Sequence, residues 1–265
     1  MVTALYMKAP RSATALKILA VVLMFIDHIH QMWAHNGAPG WLNWLGRPVF
    51  PIFLFLMAES YRFTGNRKRL LLRLLIGSCF MTFANAALNA IFLPNDEIFL
   101  ANNAFGTFFI AILYMYLYDM LKSGVKEGSL LKIITALSLC FVPLLTVIPI
   151  VYILSFESLP LWVRRAGLVI PNILLVEGGP AFVALGVAFY AFKNRRWAQI
   201  AALAVVSAGY YMLFPSSVQW MMVFAAIPIH IYNGKKGRGI KAFFYVFYPV
   251  HIYFLYILST VTGNG

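Results

Sequence analysis

The sequence predicts an all-α fold, a polytopic transmembrane helical bundle of about nine spans (roughly eight to ten) that forms one domain over residues 1–265. Composition is the first reason, because 62% of the residues are apolar, 11% are charged and the mean hydropathy is +0.81. This composition excludes an ordinary soluble domain around one core. The second reason is the recurrence of apolar segments close to the length of about 20 residues that crosses the hydrocarbon of a bilayer.

These apolar segments follow one another along the whole chain with short polar stretches between them. The second segment is short, and the sixth is interrupted by Pro171 and by Glu177-Gly178-Gly179-Pro180. Proline removes a backbone donor and favours a kink, and kinked helices can enclose a cavity. In order, the predicted spans lie near residues 16–34, 47–62, 70–93, 103–121, 130–154, 168–192, 197–213, 218–233 and 242–261.

Charge predicts the orientation of the spans. The formal net charge is +13, and Lys and Arg cluster in every second connection, as they do in cytoplasmic loops. This pattern indicates membrane topology rather than nucleic-acid binding, and it places the N-terminus in the cytoplasm. Arg164-Arg165, before the sixth span, is the exception. The basic residues assigned to the cytoplasmic side are Lys8, Arg11, Lys17, Arg62, Arg67, Lys68, Arg69, Lys122, Lys126, Lys193, Arg195, Arg196, Lys235, Lys236, Arg238 and Lys241.

Three ionisable residues, Asp27, His28 and His30, lie inside the first span. An ionisable group at that depth costs a few kcal/mol, so it needs a partner, water or a function. His28 lies about 16 Å beyond Lys17 along the helix and is turned about 100° away from Asp27, which shares a face with His30. Two interpretations stay open: Asp27 orients an imidazole that acts as a base, or Asp27 is a buried acid satisfied by backbone or arginine and His28 is structural.

The second and third spans contribute further candidates. Arg47, at the outer end of the second span, could neutralise Asp27, neutralise an oxyanion, or extend to the interface as arginines commonly do. Glu59, near the cytoplasmic end of that span, is expected to pair with a nearby arginine. Cys79 and Cys140 match no metal-ligand spacing and are expected to pack as small apolar residues, so no metal site is predicted.

Polar residues in the later spans carry two open questions. Glu177 interrupts its span, and it either lines a cavity or is buried in protein. His251, with Tyr248 on the same helix, lies near the middle of the last span and either has a function or donates one bond to a neighbouring helix. The polar residues of the third and fourth spans are expected to bond to neighbouring helices, and they are Asn85, Asn89, Asn102, Asn103 and Thr107.

Several stretches from the first span to the last resemble the TraX family, membrane proteins named for the pilin acetylase of conjugative plasmids. Individually these stretches are short, but together they occur in order and at the family's separations. They are Leu16-Lys17-Ile, Ile26-Asp27-His28-Ile, Leu45-Gly46-Arg47-Pro48-Val-Phe-Pro51-Ile-Phe, Ala58-Glu59, Asn233-Gly234-Lys235-Lys236-Gly237 and Phe244-Tyr245-Val-Phe-Tyr248-Pro249-Val-His251.

The resemblance implies an acyltransferase-like domain that transfers acetyl from cytoplasmic acetyl-CoA to an acceptor on or beyond a bacterial inner membrane. The acceptor would be an amine or hydroxyl of a protein such as the pilin N-terminus, of a peptide, or of a glycan. The chain is also similar to wider membrane acyltransferases, in which a Lys or Arg precedes a first-span histidine as Lys17 precedes His28 here. Those relatives carry a close pair of arginines in an early loop, whereas Arg69 and Arg73 are one residue too far apart.

On this resemblance we assign hypothetical roles to individual residues. His28 would be the general base and Asp27 would orient it or balance its charge, while Arg47, Asn103 or Tyr248 would stabilise the thioester oxyanion. His30, Glu59, Glu177 and His251 are further cavity candidates. The cations expected to hold the phosphates of the coenzyme are Lys17, Arg67, Arg69, Arg73, Lys235 and Lys236.

Two other functions remain compatible with the sequence. A proton-coupled transporter or flippase would use Asp27, His28, Glu59 and His251 as a proton relay and would form no bond to acetyl. A scaffold for pilus or envelope assembly would not depend on His28. Membrane lipid surrounds the chain in every case.

Overall fold

A computed structural model describes residues 12–92, 98–160, 164, 167–237 and 241–263, and within these ranges the chain is helical with no strand, which confirms the predicted all-α class. Of the basic residues assigned above to the cytoplasmic side, Lys8, Arg11 and Arg238 lie outside these ranges, as does Arg165. The α-helices are α1 (Ala13–Trp33), α2 (Trp41–Gly46), α3 (Val49–Arg62), α4 (Arg67–Ile91), α5 (Ala104–Glu127), α6 (Leu130–Leu145), α7 (Val147–Ser155), α8 (Gly179–Ala191), α9 (Arg196–Leu213), α10 (Ala226–Ile231) and α11 (Lys241–Gly263). Short 3-10 helices occupy Gly167–Val169 and Val218–Ala225.

Polar residues define where several of these helices begin. The side chains of Ser12, Asn66, Asn103 and Ser129 each accept a hydrogen bond from the backbone N–H three residues further on. Such caps satisfy donors that the first turn of a helix leaves unpaired. The sequence therefore fixes the starts of α1, α4, α5 and α6 locally.

Within the described residues, six helical segments are long and apolar enough to cross a membrane, so the chain has the character of a multi-pass membrane protein. The predicted count of nine is not confirmed. Pro180 stands in the first turn of α8, so the sixth predicted span yields a helix of only 13 residues, and the segment at 218–231 begins as a 3-10 helix. The six are Ala13–Trp33, Trp41–Arg62, Arg67–Ile91, Ala104–Glu127, Leu130–Ser155 and Phe243–Thr262.

The chain packs as two compact units. The first unit comprises Met1–Leu56 and Asn194–Gly265, and within it α1 packs against α2 and α11, while α9 packs against the 3-10 helix Val218–Ala225 and against α10. The second unit comprises Met57–Lys193, and within it α5 packs against α4, α6 and α8. Polar side chains gather in each unit, and they are described unit by unit below.

Candidate functional site

Two histidines from opposite ends of the chain meet in the first unit. His28 on α1 and His251 on α11 are 5% and 4% exposed, and the Nδ1 atom of His28 lies 2.7 Å from the Nε2 atom of His251. Their ring centroids are 4.9 Å apart, and the ring of Phe247 stacks on His251 with a centroid distance of 4.6 Å. The two imidazoles therefore form a buried hydrogen-bonded pair.

The direction of hydrogen bonding in this pair follows from one backbone carbonyl. The Nδ1 atom of His251 lies 2.7 Å from the carbonyl oxygen of Phe247, and a carbonyl can only accept. His251 therefore carries its proton on Nδ1, and its Nε2 atom in the neutral ring is an acceptor. His28 must then donate from Nδ1, which leaves the Nε2 lone pair of His28 available to take a proton.

Asp27 is held by Arg47 rather than by an imidazole of this pair. The Nη2 atom of Arg47 donates to the two carboxylate oxygens of Asp27 at 2.9 and 3.1 Å. The Nη1 atom donates to Gln219 at 2.9 Å, and the Nε atom donates to the carbonyl of Asn43 at 3.1 Å. Of the roles considered for Arg47, the structure shows the one in which Arg47 neutralises Asp27. Each nitrogen of the guanidinium already donates to a protein oxygen.

Gly46 makes room for this ion pair. Gly46 is buried at the end of α2, and a Cβ atom added there would lie 2.1 Å from the Cγ atom of Asp27. A glycine is therefore required for α2 to approach α1 this closely. The stretch Gly46-Arg47 thus supplies both the space for the carboxylate and the cation that neutralises it.

Basic residues lie at the N-terminal end of α1, in the same unit. The backbone N–H groups of Ala13 and Thr14 donate to the carbonyls of Lys235 and Lys236 at 2.9 and 3.2 Å, which fixes this segment against the start of α1. Lys235 and Lys236 are exposed. Lys17 lies about one turn along α1, with its Nζ atom 5.3 Å from the ring centroid of Phe244. Three of the six predicted coenzyme cations therefore share one end of the unit, and His28 lies about 16 Å further along α1.

The other three predicted cations occupy the first turns of α4 in the second unit. Arg67 donates to Asp119 at 2.6 Å, and the hydroxyl of Tyr190 donates to the same carboxylate at 2.7 and 2.9 Å. Arg67 also lies over the ring of Tyr61 at 4.6 Å. Asp119 was not among the predicted site residues, although a lone carboxylate near the end of the fourth predicted span indicates a buried partner.

Arg69 and Arg73 are exposed in the second unit, as is Lys68. Glu59 on α3 is buried, with 8% of its surface exposed, whereas these cations lie at the surface. In the first unit His30 is half-buried, and Tyr248 is buried with its ring centroid 6.1 Å from that of His251. The structure thus places His251 beside His28 and Tyr248 near His251, and it places the arginines of α4 and Glu59 in the other unit.

Asn103 and Glu177 come together in the second unit. The backbone N–H of Asn103 donates to the Oε2 atom of Glu177 at 3.0 Å, and the hydroxyl of Thr107 donates to the carbonyl of Glu177 at 2.7 Å. Both Asn103 and Glu177 line a cavity of about 270 Å³. The predicted bond to a neighbouring helix is present for Asn103, whose amide donates to Ser78 and Thr82 of α4. For Asn85 and Asn89 the prediction is wrong, because their amides bond to Asn102 and Leu100 in the non-helical segment before α5.

Comparison with known proteins identifies relatives of the whole chain. The sequence profile of the family described as "TraX protein" matches residues 12–259. A protein of Dichelobacter nodosus described as "Probable fimbrial assembly protein FimC, serogroup H1" is 27% identical over 250 residues, which cover 91% of this chain and 93% of that protein. No solved structure matches the chain significantly.

Proposed function

This chain belongs to the TraX family, and on that premise we propose that it is a membrane-embedded acetyltransferase with His28 as general base. It takes acetyl from cytoplasmic acetyl-CoA and transfers it to an amine or hydroxyl at the outer side of a bacterial inner membrane. The observation that carries the proposal is the buried pair of His28 and His251, whose hydrogen bonds direct a lone pair to Nε2 of His28. A relative described as a fimbrial assembly protein supports a pilin-like acceptor, with a peptide or glycan as other acceptors of the same chemistry.

The proposed reaction uses the Nε2 lone pair of His28. As the acceptor nitrogen or oxygen attacks the thioester carbon, Nε2 removes its proton, and the resulting imidazolium later gives that proton to the departing thiolate of coenzyme A. The C–S bond breaks, a C–N or C–O bond forms, and the products are the acetylated acceptor and free coenzyme A thiol. General-base catalysis of this kind contributes roughly 10²–10⁴-fold.

His251 is a positioning residue in this mechanism. It accepts the Nδ1–H of His28, which selects the tautomer with a free Nε2 and stabilises the positive charge that His28 acquires. In hydrolases with a catalytic triad a carboxylate has this role. Asp27 was expected to fill it here, but Asp27 forms an ion pair with Arg47, so the proposal assigns Asp27 and Arg47 to holding α2 against α1.

The same proposal assigns the phosphates of acetyl-CoA to the exposed cations Lys235, Lys236, Arg69 and Arg73 and to the half-buried Lys17. Lys17, Lys235 and Lys236 lie together at one end of the first unit, about 16 Å along α1 from His28. Arg69 and Arg73 are the candidates in the second unit, and at Arg67 a phosphate would compete with the carboxylate of Asp119. Tyr248 is the proposed oxyanion donor, because it is buried in the unit that contains His28, with its ring centroid 6.1 Å from that of His251.

The test uses the purified full chain in liposomes with acetyl-CoA labelled in the acetyl group. We expect release of free thiol that depends on His28, and loss of that release in His28→Gln. His35→Gln is the matched control, since His35 is an exposed residue two residues beyond α1. Mass spectrometry of the host envelope, with and without the gene, would identify the acceptor by the mass of an acetyl group.

Two results would overturn the proposal. Thiol release in His28→Gln within a few-fold of the unmodified chain would exclude the general base. If the folded chain neither binds acetyl-CoA nor releases thiol, acetyl transfer is excluded and the transporter or flippase is favoured.

A further inference from the structure

The end of the first unit that holds Lys235 and Lys236 also carries an exposed aromatic pair. Trp197, in the first turn of α9, is 73% exposed, and its ring centroid lies 5.1 Å from that of the exposed His230 in the last turn of α10. A flat aromatic surface next to positive charge suits a nucleotide, because every base has a π-face and every phosphate is anionic. The proposed function assigns only the cations of this end to the coenzyme.

Trp197 stands on a turn that the residue before it holds in place. The guanidinium carbon of Arg196 lies 4.7 Å from the ring centroid of Phe55 and 5.3 Å from that of Tyr232. The Nη1 atom of Arg196 also donates to the side chain of the buried Gln199 at 3.1 Å. The backbone that carries Trp197 is therefore fixed before any ligand arrives, which reduces the entropy lost on binding.

The lysines lie close to this aromatic pair along the chain. Lys235 follows His230 by five residues, so their two Cα atoms are at most about 18 Å apart. The backbone N–H of Lys235 donates to the Oδ1 atom of Asn233 at 2.9 Å, and its carbonyl accepts from the N–H of Ala13 at 2.9 Å. A short, hydrogen-bonded connection thus joins the rings to the lysines. The aromatic–basic surface consists of Trp197, His230, Lys235 and Lys236.

The length of α1 decides which part of a coenzyme reaches this surface. Lys17 and His28 are eleven residues apart, which separates them by about 16 Å along the helix and by only about 20° around it. The pantetheine arm of coenzyme A has thirteen bonds between its sulfur and the nearest phosphorus, so an extended arm spans about 16 Å. With the thioester at His28, the pyrophosphate therefore reaches the level of Lys17. Lys235 and Lys236 bond to the first turn of α1, about 5 Å beyond Lys17, which is where the adenosine follows.

We propose that the aromatic–basic surface binds the adenosine 3′-phosphate end of acetyl-CoA, with Trp197 stacked on the adenine and with Lys235 and Lys236 on the 3′-phosphate. This assignment rests on the proposed function, which supplies the coenzyme. It adds Trp197 as a binding residue that neither the motifs nor the histidine pair indicate. It also divides the cations, because Lys17 then binds the pyrophosphate and the other two lysines select donors that carry a 3′-phosphate.

The experiment measures binding of adenosine 3′,5′-bisphosphate and of adenosine 5′-monophosphate to the full chain in phosphatidylcholine nanodiscs. Saturation-transfer NMR of the adenine protons reports binding, against empty nanodiscs at constant ionic strength. The two probes differ only in the 3′-phosphate, so we expect saturable binding of both and at least fivefold tighter binding of the bisphosphate. Neither probe carries a thioester, so His28→Gln should bind both like the unmodified chain.

Variants assign the base and the phosphate to individual residues. Trp197→Leu should weaken both probes by roughly 5- to 150-fold, which is the effect of losing one base–aromatic stack, and Trp197→Phe should retain most of the affinity. Trp41→Leu is the matched control, because Trp41 is a 53% exposed tryptophan at the start of α2, and it should leave binding unchanged. Replacing both Lys235 and Lys236 with Gln should abolish the preference for the bisphosphate.

The assignment fails if the bisphosphate shows no saturation with the unmodified chain, or if the two probes bind equally. It also fails if folded Trp197→Leu binds like Trp41→Leu, which would leave Trp197 as an anchor in the membrane interface. If Trp197→Leu does not fold, the comparison of probes on the unmodified chain and the result with the lysine variant still decide the question.

The outcome is separate from that of the catalytic test. Thiol release from acetyl-CoA without binding of either probe would overturn the assignment and leave the acetyl transfer standing. Binding of both probes as expected, without any thiol release, would overturn the acetyl transfer and leave an adenine-nucleotide site at Trp197.

Discussion

The two units bury polar groups among apolar helices in different ways. In the first unit, His28 and His251 bond to each other and to a backbone carbonyl, and one nitrogen lone pair is left over. In the second unit, asparagine amides donate to backbone carbonyls of nearby segments, and one acceptor, the Oδ1 atom of Asn85, is left over. Since most of the hydrogen-bonding capacity is used inside the protein, the atoms that remain define the chemistry. A nitrogen lone pair suits proton transfer, whereas a buried amide oxygen without a partner only costs free energy.

The difference also follows from residue type. A neutral imidazole has one donor and one acceptor. The Phe247 carbonyl therefore fixes a proton on Nδ1 of His251, and His251 in turn fixes a proton on Nδ1 of His28, which leaves Nε2 of His28 unprotonated. An asparagine amide has two donors and an acceptor whose orientation one carbonyl fixes. The first arrangement can change its protonation during a reaction, whereas the second cannot.

The largest expected effect is at the histidine pair. His28→Gln should lower thiol release by roughly 10²–10⁴-fold. His251→Leu should also lower it, because His28 loses the acceptor that selects its tautomer, and His251→Gln should restore part of the rate by supplying an amide oxygen. The double variant His28→Gln with His251→Leu should be no worse than His28→Gln alone, because His251 acts through His28.

Single-turnover rates and ¹⁵N NMR of the His28 ring would check this prediction. In the unmodified chain the spectrum should report a proton on Nδ1, and His251→Leu should shift the tautomer. A His251→Leu variant with an unchanged tautomer and a lowered rate would show that His251 acts in another way.

The next effect concerns the support of the first unit. Gly46→Ala should destabilise the chain by about 1–3 kcal/mol, because its Cβ atom would overlap the side chain of Asp27 and force α2 away from α1. Gly40→Ala is the control, since no atom lies within 4 Å of an added Cβ there. Thermal unfolding in detergent would measure both, and equal midpoints for the two variants would contradict the close packing at Gly46.

A smaller effect is expected in the second unit. Asn89→Ala should destabilise the chain by about 1–2 kcal/mol, because it leaves the buried N–H and carbonyl of Leu100 without their partner. Asn36→Ala, at an exposed turn residue, is the matched control and should change stability by less than about 0.5 kcal/mol. Equal unfolding midpoints for the two variants would mean that the hydrogen bonds of the Asn89 side chain do not stabilise the second unit.

The smallest effect is expected from the exposed cations. Replacing both Lys235 and Lys236 with Gln should raise KM for acetyl-CoA several-fold and leave kcat unchanged, because phosphate contacts remote from the thioester contribute equally to the ground and transition states. The difference should shrink as salt increases. Lys126→Gln, at an exposed cation of the second unit, is the control, and an equal change in KM there would indicate a general charge effect.

The sequence by itself determined the helical membrane class, the family and the candidacy of His28 and His251. Hydropathy, capping side chains and sequence motifs are local properties, so they can be read along the chain. It missed Asp119 and Gln219 as partners, and it did not fix the number of spans. A span count depends on how Pro180 and the 3-10 segment at 218–225 fold, which local hydropathy does not report.

Only the tertiary structure decided which candidates share a site. His28 and His251 are 223 positions apart, and a hydrogen bond between them requires α1 and α11 to pack in one particular register. The same packing pairs Asp27 with Arg47 in an ion pair and His28 with His251 in a hydrogen bond. Partner choice is a property of the folded arrangement, because a buried polar group bonds with whatever packing brings within about 3 Å of it.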